Sequence, residues 1–382
     1  LRWALLAGNL AIGCGVVVVA GALNDLVRSL GVSVALGGQL VTAAAVAMGL
    51  SAPLLAAALA GIERRSLLAL SLLWYAAGHA ASVLVSDYTV LLGLRVATVL
   101  AAVVFTPQAA ATVGALVPAA QRASAIVFVF MGWSFASVFG LPAAGFVAET
   151  LGWRWAFAGV AGLSLLAAVA VWRCVPPGVR PPVLGWSAWK RVLGHPLLMG
   201  IVAVTALTSA SQFTIFSYFA PYYRQVLGAS AAEMTFLLFW FGVFGLAGNF
   251  WVVRSIDRLG PARSVSIAIA AMALTFLLWP LAGSVALMAL VIVPWGLGCF
   301  ATNSGQQARL AASAPAWAPA LMALNTSAIY LGQAVGAAQG GVWIAAQGFA
   351  PLAPTALAWM AVALALSLWL GRRMAGGRFD GG

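Results

Sequence analysis

A succession of apolar runs, each about twenty residues long, sets the limits on what this chain can fold into, because an α-helix of that length crosses a bilayer. A few charged or turn-forming residues part each run from the next. The clearest break is Arg254-Ser255-Ile256-Asp257-Arg258-Leu259-Gly260-Pro261-Ala262-Arg263, where charges crowd between two apolar runs. It reads as a short loop held at one membrane face by water. Of the 382 residues, 64% are hydrophobic and 7% charged, against about 25% charged in soluble chains. A polytopic membrane protein is therefore expected. The formal net charge of +12 does not point to nucleic acid, since the basic residues come one to three at a time between apolar runs. Cys14, Cys174 and Cys299 have no metal or redox spacing and read as inert thiols.

Twelve spans are predicted, at 3–24, 37–60, 66–86, 89–116, 123–148, 154–173, 197–219, 232–253, 262–282, 284–308, 319–346 and 352–371. The first reads as a retained span rather than a cleaved leader. Fifteen of the nineteen Lys and Arg fall on the side of the N-terminus, three (Arg28, Arg154, Arg224) on the other, and Arg95 lies within a span. That asymmetry places both termini in the cytoplasm. The longest break divides the chain into an N-terminal six-helix bundle (1–175), a cytoplasmic Pro-rich linker (176–196), a C-terminal six-helix bundle (197–371) and a cytoplasmic tail (372–382). Within the linker, Trp186, Trp189, Lys190 and Arg191 read as an interfacial helix turn, with rings at the headgroups and charges in water.

Two six-span halves suggest an internal repeat. Gly61-Ile62-Glu63-Arg64-Arg65 follows span two as 254–263 follows span eight. Spans five and eleven are both glycine-rich, which lets helix backbones approach closely.

On these features the chain resembles the major facilitator superfamily, within it the drug:proton antiporter group with sugar and arabinose efflux members. Asp257-Arg258-x-Gly260-x-x-Arg263 resembles the family's cytoplasmic loop motif. Arg95 resembles its fourth-span arginine. Gly140-Leu141-Pro142-Ala143-Ala144-Gly145 resembles the span-five motif of antiporters, and Gly152-Trp153-Arg154-Trp155-Ala156-Phe157 the entry to span six. Phe213 to Gly228, with Tyr218 and Pro221, is similar to the family's seventh span and outer loop. The departures are specific. Gly61 and Ile62 stand where the first-half loop would carry Asp-Arg, leaving Arg64 and Arg65. Val253 and Val99 replace motif glycines. Gly13-Cys14-Gly15-Val16-Val17 brings no acid to the middle of span one. The resemblance implies an all-α integral membrane fold with twelve transmembrane helices in two six-helix halves related by pseudo-two-fold symmetry.

The seven acids (Asp25, Glu63, Asp87, Glu149, Glu233, Asp257, Asp380) all fall in loops, tails or span ends. Two interior basic residues remain. His79 and Arg95 lie eight residues before and after Asp87, about 12 Å along antiparallel helices, and so at similar depth. Arg95 has two readings: charge for an anionic substrate group or a coupled proton site, and a structural arginine on backbone carbonyls. His79 likewise reads as a proton carrier or as a neutral packed histidine. Glu149 and Arg154 read as a surface salt bridge. Asp257, Arg258, Gly260 and Arg263, with Arg64 and Arg65, read either as solvated turns or as a conformational latch, with Asp257 at a helix N-terminus or on an arginine. Gly140, Pro142 and Gly145 mark the antiporter-motif helix. Substrate-cavity candidates, placed by analogy near the midplane between the halves, are Asn9, Gln108, Gln212, Phe213, Phe216, Trp240, Trp295, Asn303 and Asn325.

The resulting expectation is an alternating-access transporter of the bacterial inner membrane, monomeric, exporting a small organic solute such as a drug-like compound, sugar or related metabolite. Proton antiport is what the resemblance implies. A proton-independent facilitator or anion-binding carrier of the same fold is the alternative, and a non-transporting membrane receptor or scaffold the alternative of another class. Partners are a small-molecule substrate, the lipid bilayer and protons, with no nucleic acid, no metal and no cofactor. No enzymatic cluster lies within the spans.

Overall fold

The computed structural model describes residues 1–32, 34–180 and 186–376. Within them the chain forms twelve long helices, and each begins or ends where the sequence offers a reason. In the first half these are α1 (Arg2–Gly21), α2 (Val34–Ala58), α3 (Arg64–Val83), α4 (Tyr88–Leu116), α5 and α6 (Trp153–Cys174). Helix α5 is composite: Arg122–Phe135, a π-helical turn Ala136–Gly140, and Leu141–Leu151. In the second half they are α7 (Pro196–Phe216), α8 (Ala231–Leu259), α9 (Pro261–Leu278), α10 (Val285–Ser313, with a break at Ile292), α11 (Ala318–Gln347) and α12 (Leu352–Gly376). Short helices Leu23–Leu30, Trp186–Gly194 and Phe219–Gln225 fill three connections.

Caps fix several starts. The Asp87 carboxylate accepts the Val90 amide at 2.9 Å to open α4. Ser230 and Glu233 form a reciprocal capping box at α8, satisfying donors that have no partner within the helix. Eleven helices are long and apolar enough to cross a membrane. Helix α11 is as long but more polar, carrying Asn325, Gln333 and Gln339. Its glycines press on α7, so it gives up side-chain hydropathy for close packing.

The stretch 254–263 is not a loop. Helix α8 continues through Leu259, and a single residue, Gly260 at φ +82, turns the chain before Pro261 opens α9. Charges at the end of a helix emerge into water without breaking it, and only Gly tolerates the positive φ. Of the linker, Pro181 and Pro182 lie outside the described residues, as do Arg378 and Asp380 of the tail. The linker helix also differs from expectation. Trp189 is buried with Ala188 and Val192 rather than set at the headgroups. The nine-residue helix turns that face into protein and leaves Arg191 exposed.

The helices gather into two units. Unit 1 comprises Leu1–Ala119 and Phe128–Gly185, and unit 2 comprises Ala120–Val127 and the chain from Trp186 on. In unit 1, α1 packs on α5 and α6, α3 on α4 and α6, and α2 on α4. Unit 2 repeats every one of these pairs six helices later: α7 on α11 and α12, α9 on α10 and α12, and α8 on α10. The repeat extends to the contact chemistry. Gly132 meets the Leu6 carbonyl of α1, and Gly21 meets Leu141 of α5, while Gly332, Gly336 and Gly340 meet the Ala206, Ala210 and Thr214 carbonyls of α7. Large apolar side chains such as Trp3, Leu54, Leu166 and Leu290 are exposed, as suits surfaces that face lipid.

A methyl group at Gly336 would meet the Ala210 backbone, whereas at Gly93 it would meet nothing. Gly336→Ala is expected to destabilise unit 2 by ~1–3 kcal/mol, the usual cost of overpacking. Gly93→Ala should be neutral or stabilising by up to about 1 kcal/mol. Thermal unfolding of the purified variants in detergent checks both.

Candidate functional site

The interior charges of unit 1 meet at α1. The Arg95 guanidinium donates to the Gly15 carbonyl at 2.7 Å and the Val16 carbonyl at 3.0 Å, and Arg95 is buried. His79 is 1% exposed, with Nδ1 2.9 Å from the Tyr75 carbonyl. Its ring meets the rings of Tyr75 and Phe157, centroids 4.4 Å and 5.6 Å away. The Tyr75 hydroxyl donates to the Ile12 carbonyl at 2.9 Å. Arg95 and the Gly15 carbonyl both lie within reach of the His79 ring. Helices α1, α3, α4 and α6 thus converge on one site, where the expected juxtaposition of His79 and Arg95 holds. Close approach explains the glycine: a side chain at Gly15 would run into the Tyr75 phenol.

The polar cavity candidates fall into separate groups. In unit 1, Asn9 donates to the Val129 carbonyl at 3.0 Å and accepts from Thr106 at 2.9 Å, tying α1 to α5 and α4. Gln108 is buried, its side-chain oxygen without a hydrogen-bond partner. In unit 2, the Trp295 indole donates to Gln212 at 3.0 Å. Trp295 is fully buried among Phe216, Phe219, Phe241, Phe276 and Trp279, so it is a core residue of that unit. Phe213 stacks obliquely on Phe216, which is 39% exposed. A second group joins α7, α10 and α11: Thr205 donates to Asn325 at 2.5 Å, and Gln306 donates to Thr205 at 3.1 Å and to the Ile201 carbonyl at 2.9 Å. Asn303, on the same helix as Gln306, has a buried side-chain oxygen without a partner. Trp240 stands apart, its indole donating to the Ala289 carbonyl at 2.9 Å.

The span-five motif also acquires a structural role. The π-turn Ala136–Gly140 ends two residues before Pro142, a residue that has no amide hydrogen to give the helix. A side chain at Gly140 would meet Cys14, and Gly145 faces the Gly21 carbonyl.

At the charged turns, Asp257 Oδ1 accepts the Ser124 amide at 3.1 Å, in the first turn of α5. A carboxylate there faces the positive end of the helix, an interaction of about 0.3–1 kcal/mol where exposed. Arg258 and Arg263 are exposed on either side of Gly260. Arg64 is instead buried, and Arg65 lies over the Trp172 ring, 4.2 Å from its centroid. Arg309, counted by sequence among the water-facing charges, is buried within α10, where it donates to the Ser367 hydroxyl and carbonyl of α12 at 2.9 Å and 3.1 Å.

Residues 5–337 match the family model described as Major Facilitator Superfamily. The chain belongs to that superfamily. It is a multi-pass membrane transporter. Among its relatives, the Inner membrane transport protein YdhP of Escherichia coli (strain K12) is 30% identical over 368 residues, covering 94% of both chains. A Chloramphenicol resistance protein of Streptomyces lividans is 32% identical over 338 residues, covering 85% of this chain and 84% of that one. The human organic anion transporter MFSD10 superposes with a TM-score of 0.77 at 15% identity, covering 96% of this chain and 98% of that one. The proton:xylose symporter XylE, bound to 6-bromo-6-deoxy-D-glucose, also gives 0.77, at 16% identity, over 98% and 95%. At these identities the two structures speak for the superfamily fold alone.

One expected pair is absent. Among the described residues Glu149 and Arg154 form no ion pair. Arg154 instead donates to the Val83 and Val85 carbonyls, both at 3.0 Å, and to Ser86 and Ser29. Asp25 accepts the Trp153 amide at 2.8 Å and so caps α6. The free carbonyls at the end of α3 outcompete a solvated carboxylate for the guanidinium. Sequence reasoning missed Asp25, Tyr75, Ser124 and Ser367. Of these only Tyr75 left a signal, one turn before His79 on the same helix face. Asp25→Ala is expected to destabilise unit 1 by ~0.5–2 kcal/mol, as loss of a cap does. Glu149→Ala should leave stability unchanged, and thermal unfolding of the two variants separates these outcomes.

Proposed function

We propose that this superfamily member exports a small organic solute across a bacterial inner membrane by alternating access. Asp257, at the start of α5, is proposed to hold the transporter closed to the cytoplasm. The observation that carries this reading is the hydrogen bond from the Ser124 amide to Asp257. It is a charge–dipole contact at the surface, weak enough to break on each cycle and oriented enough to favour one state. The drug-resistance relative and the glycine–proline motif of α5 favour efflux, and orientation with both termini in the cytoplasm follows the distribution of arginine. Within unit 2, the buried hydroxyls and amides of α7, α10 and α11, with the Phe213–Phe216 pair, suit a neutral, partly apolar substrate.

Proton coupling, in this reading, falls to His79. Among the described residues no Asp or Glu is buried, whereas His79 is buried, has a side-chain Nε2 without a partner and adjoins Arg95. Taking up a proton at Nε2 would set a new donor against the Gly15 carbonyl that Arg95 already uses, and so pull on α1. The same absence of buried carboxylates favours a second reading, a proton-independent carrier of the same fold.

Flux in reconstituted vesicles, with chloramphenicol as the first probe and a panel of neutral solutes after it, tests both parts. Asp257→Asn is expected to lower turnover several-fold at unchanged half-saturation. His79→Ala is expected to abolish the dependence on a pH gradient while substrate binding persists. Equal turnover in Asp257→Asn removes the latch. Wild-type flux indifferent to the gradient selects the proton-independent reading.

A further inference from the structure

Where α3 begins and α6 ends, unit 1 carries a group of arginines to which the proposed function assigns no contact. Arg64 and Arg65 open α3, Arg173 lies in the last turn of α6, and Arg180 follows a few residues on. Two contacts draw them together. The Arg64 main-chain amide donates to the Val179 carbonyl at 2.9 Å, laying the segment that carries Arg180 beside the start of α3. The Arg65 guanidinium covers the Trp172 ring, which joins the start of α3 to the last turn of α6, where Arg173 lies.

The neighbouring acid, Glu63, is already engaged. Its carboxylate accepts from the Ser66 hydroxyl at 2.5 Å and from the Gly178 amide at 2.8 Å. Those donors, Ser66 foremost, with the Arg65 charge as a smaller cause, hold it below the usual carboxylate range, so it stays ionised at neutral pH and bound to Ser66 of α3 and to the segment after α6. Leu59-Ala60-Gly61-Ile62 before it offers no other acid. Arg64 is 2% exposed, yet neither of its terminal guanidinium nitrogens has a hydrogen-bond partner. A buried guanidinium without a counter-charge is strongly unfavourable, and its forked donors fit the oxygens of a phosphate.

The surroundings name the source of that phosphate. Trp172 is 47% exposed, and Leu165, Leu166 and Val169 below it on α6 are exposed as well. An exposed indole at the end of an apolar helix face marks the headgroup level of a bilayer. Acyl chains therefore lie against the approach to the patch, and an excess of positive charge selects a lipid with net negative charge.

We propose that Arg64, Arg65, Arg173 and Arg180 bind the phosphate of an anionic phospholipid headgroup, with Trp172 at the boundary with its acyl chains. Arg64 forms the desolvated inner part of the site and the other three its rim. Bound lipid supplies negative charge beyond the single carboxylate, Glu63, of the loop before α3.

Native mass spectrometry of the full chain, delipidated and then titrated with phosphatidylglycerol or phosphatidylcholine, tests this. Wild type is expected to retain phosphatidylglycerol in preference to phosphatidylcholine. Each rim arginine replaced by glutamine should weaken that retention about fivefold, equivalent to roughly 1 kcal/mol per charge, with phosphatidylcholine retention unchanged. Arg64→Gln removes a buried group and can lower stability by itself, so the triple variant R65Q/R173Q/R180Q, all at partly or fully exposed positions, carries the test. A parallel thermal-shift series with inorganic phosphate separates a free anion from a lipid. Phosphatidylglycerol retention in the triple variant equal to wild type would overturn the proposal. So would stabilisation by inorganic phosphate without any preference between the two lipids.

Discussion

An ionised side chain in hydrocarbon has no water to solvate it, and that cost decides where the charges of this transporter stand. Four of the described acids serve at helix ends: Asp87 and Glu233 cap their own helices, Asp25 caps α6, and Asp257 of α8 accepts an amide at the start of α5. Two of the arginines drawn inward are held by oxygen atoms of neighbouring helices. Arg95 takes two carbonyls of α1, and Arg309 takes Ser367 of α12. Each such bond ties one helix to another at a defined height, so the few charges that enter the bundle act as registration points.

Close backbone contact does the rest of the packing. Lipid gives apolar side chains no reason to prefer each other, so helices associate through small residues that allow tight approach. The α1–α5 contact of unit 1 and the α7–α11 contact of unit 2 are both built this way. That recurrence is the internal repeat seen at the level of chemistry. Its two copies differ in charge: the second carries Asp257 and Arg258 at its turn, the first Glu63, Arg64 and Arg65.

The spans were legible because their signal is long and one-sided. Runs of apolar residues ended by Asp, Ser, Gly or Pro locate many helix ends to within a few residues, as at Asp87 and Ser230, whereas α8 runs past its expected end at 253 to Leu259. What composition could not tell was whether a charge beside a span is wet. Arg64 and Arg309 read as surface charges and are buried, since positive-inside counting registers side and not depth. Trp295 read as a cavity residue by its position on span ten and lies in an aromatic core. The partners of Arg154 are carbonyls, which no sequence pattern displays. His79 and Arg95 were legible as neighbours because a hairpin fixes depth, but the Gly15 carbonyl that Arg95 binds belongs to a helix distant in sequence.

The proposed gating role of Asp257 is most directly tested by electron–electron distance measurements between spin labels at Arg122 and Arg258, on a Cys-free background in lipid nanodiscs. Wild type should show a dominant short-distance population that Asp257→Asn shifts toward longer distances. Identical distance distributions in the two proteins would contradict the latch.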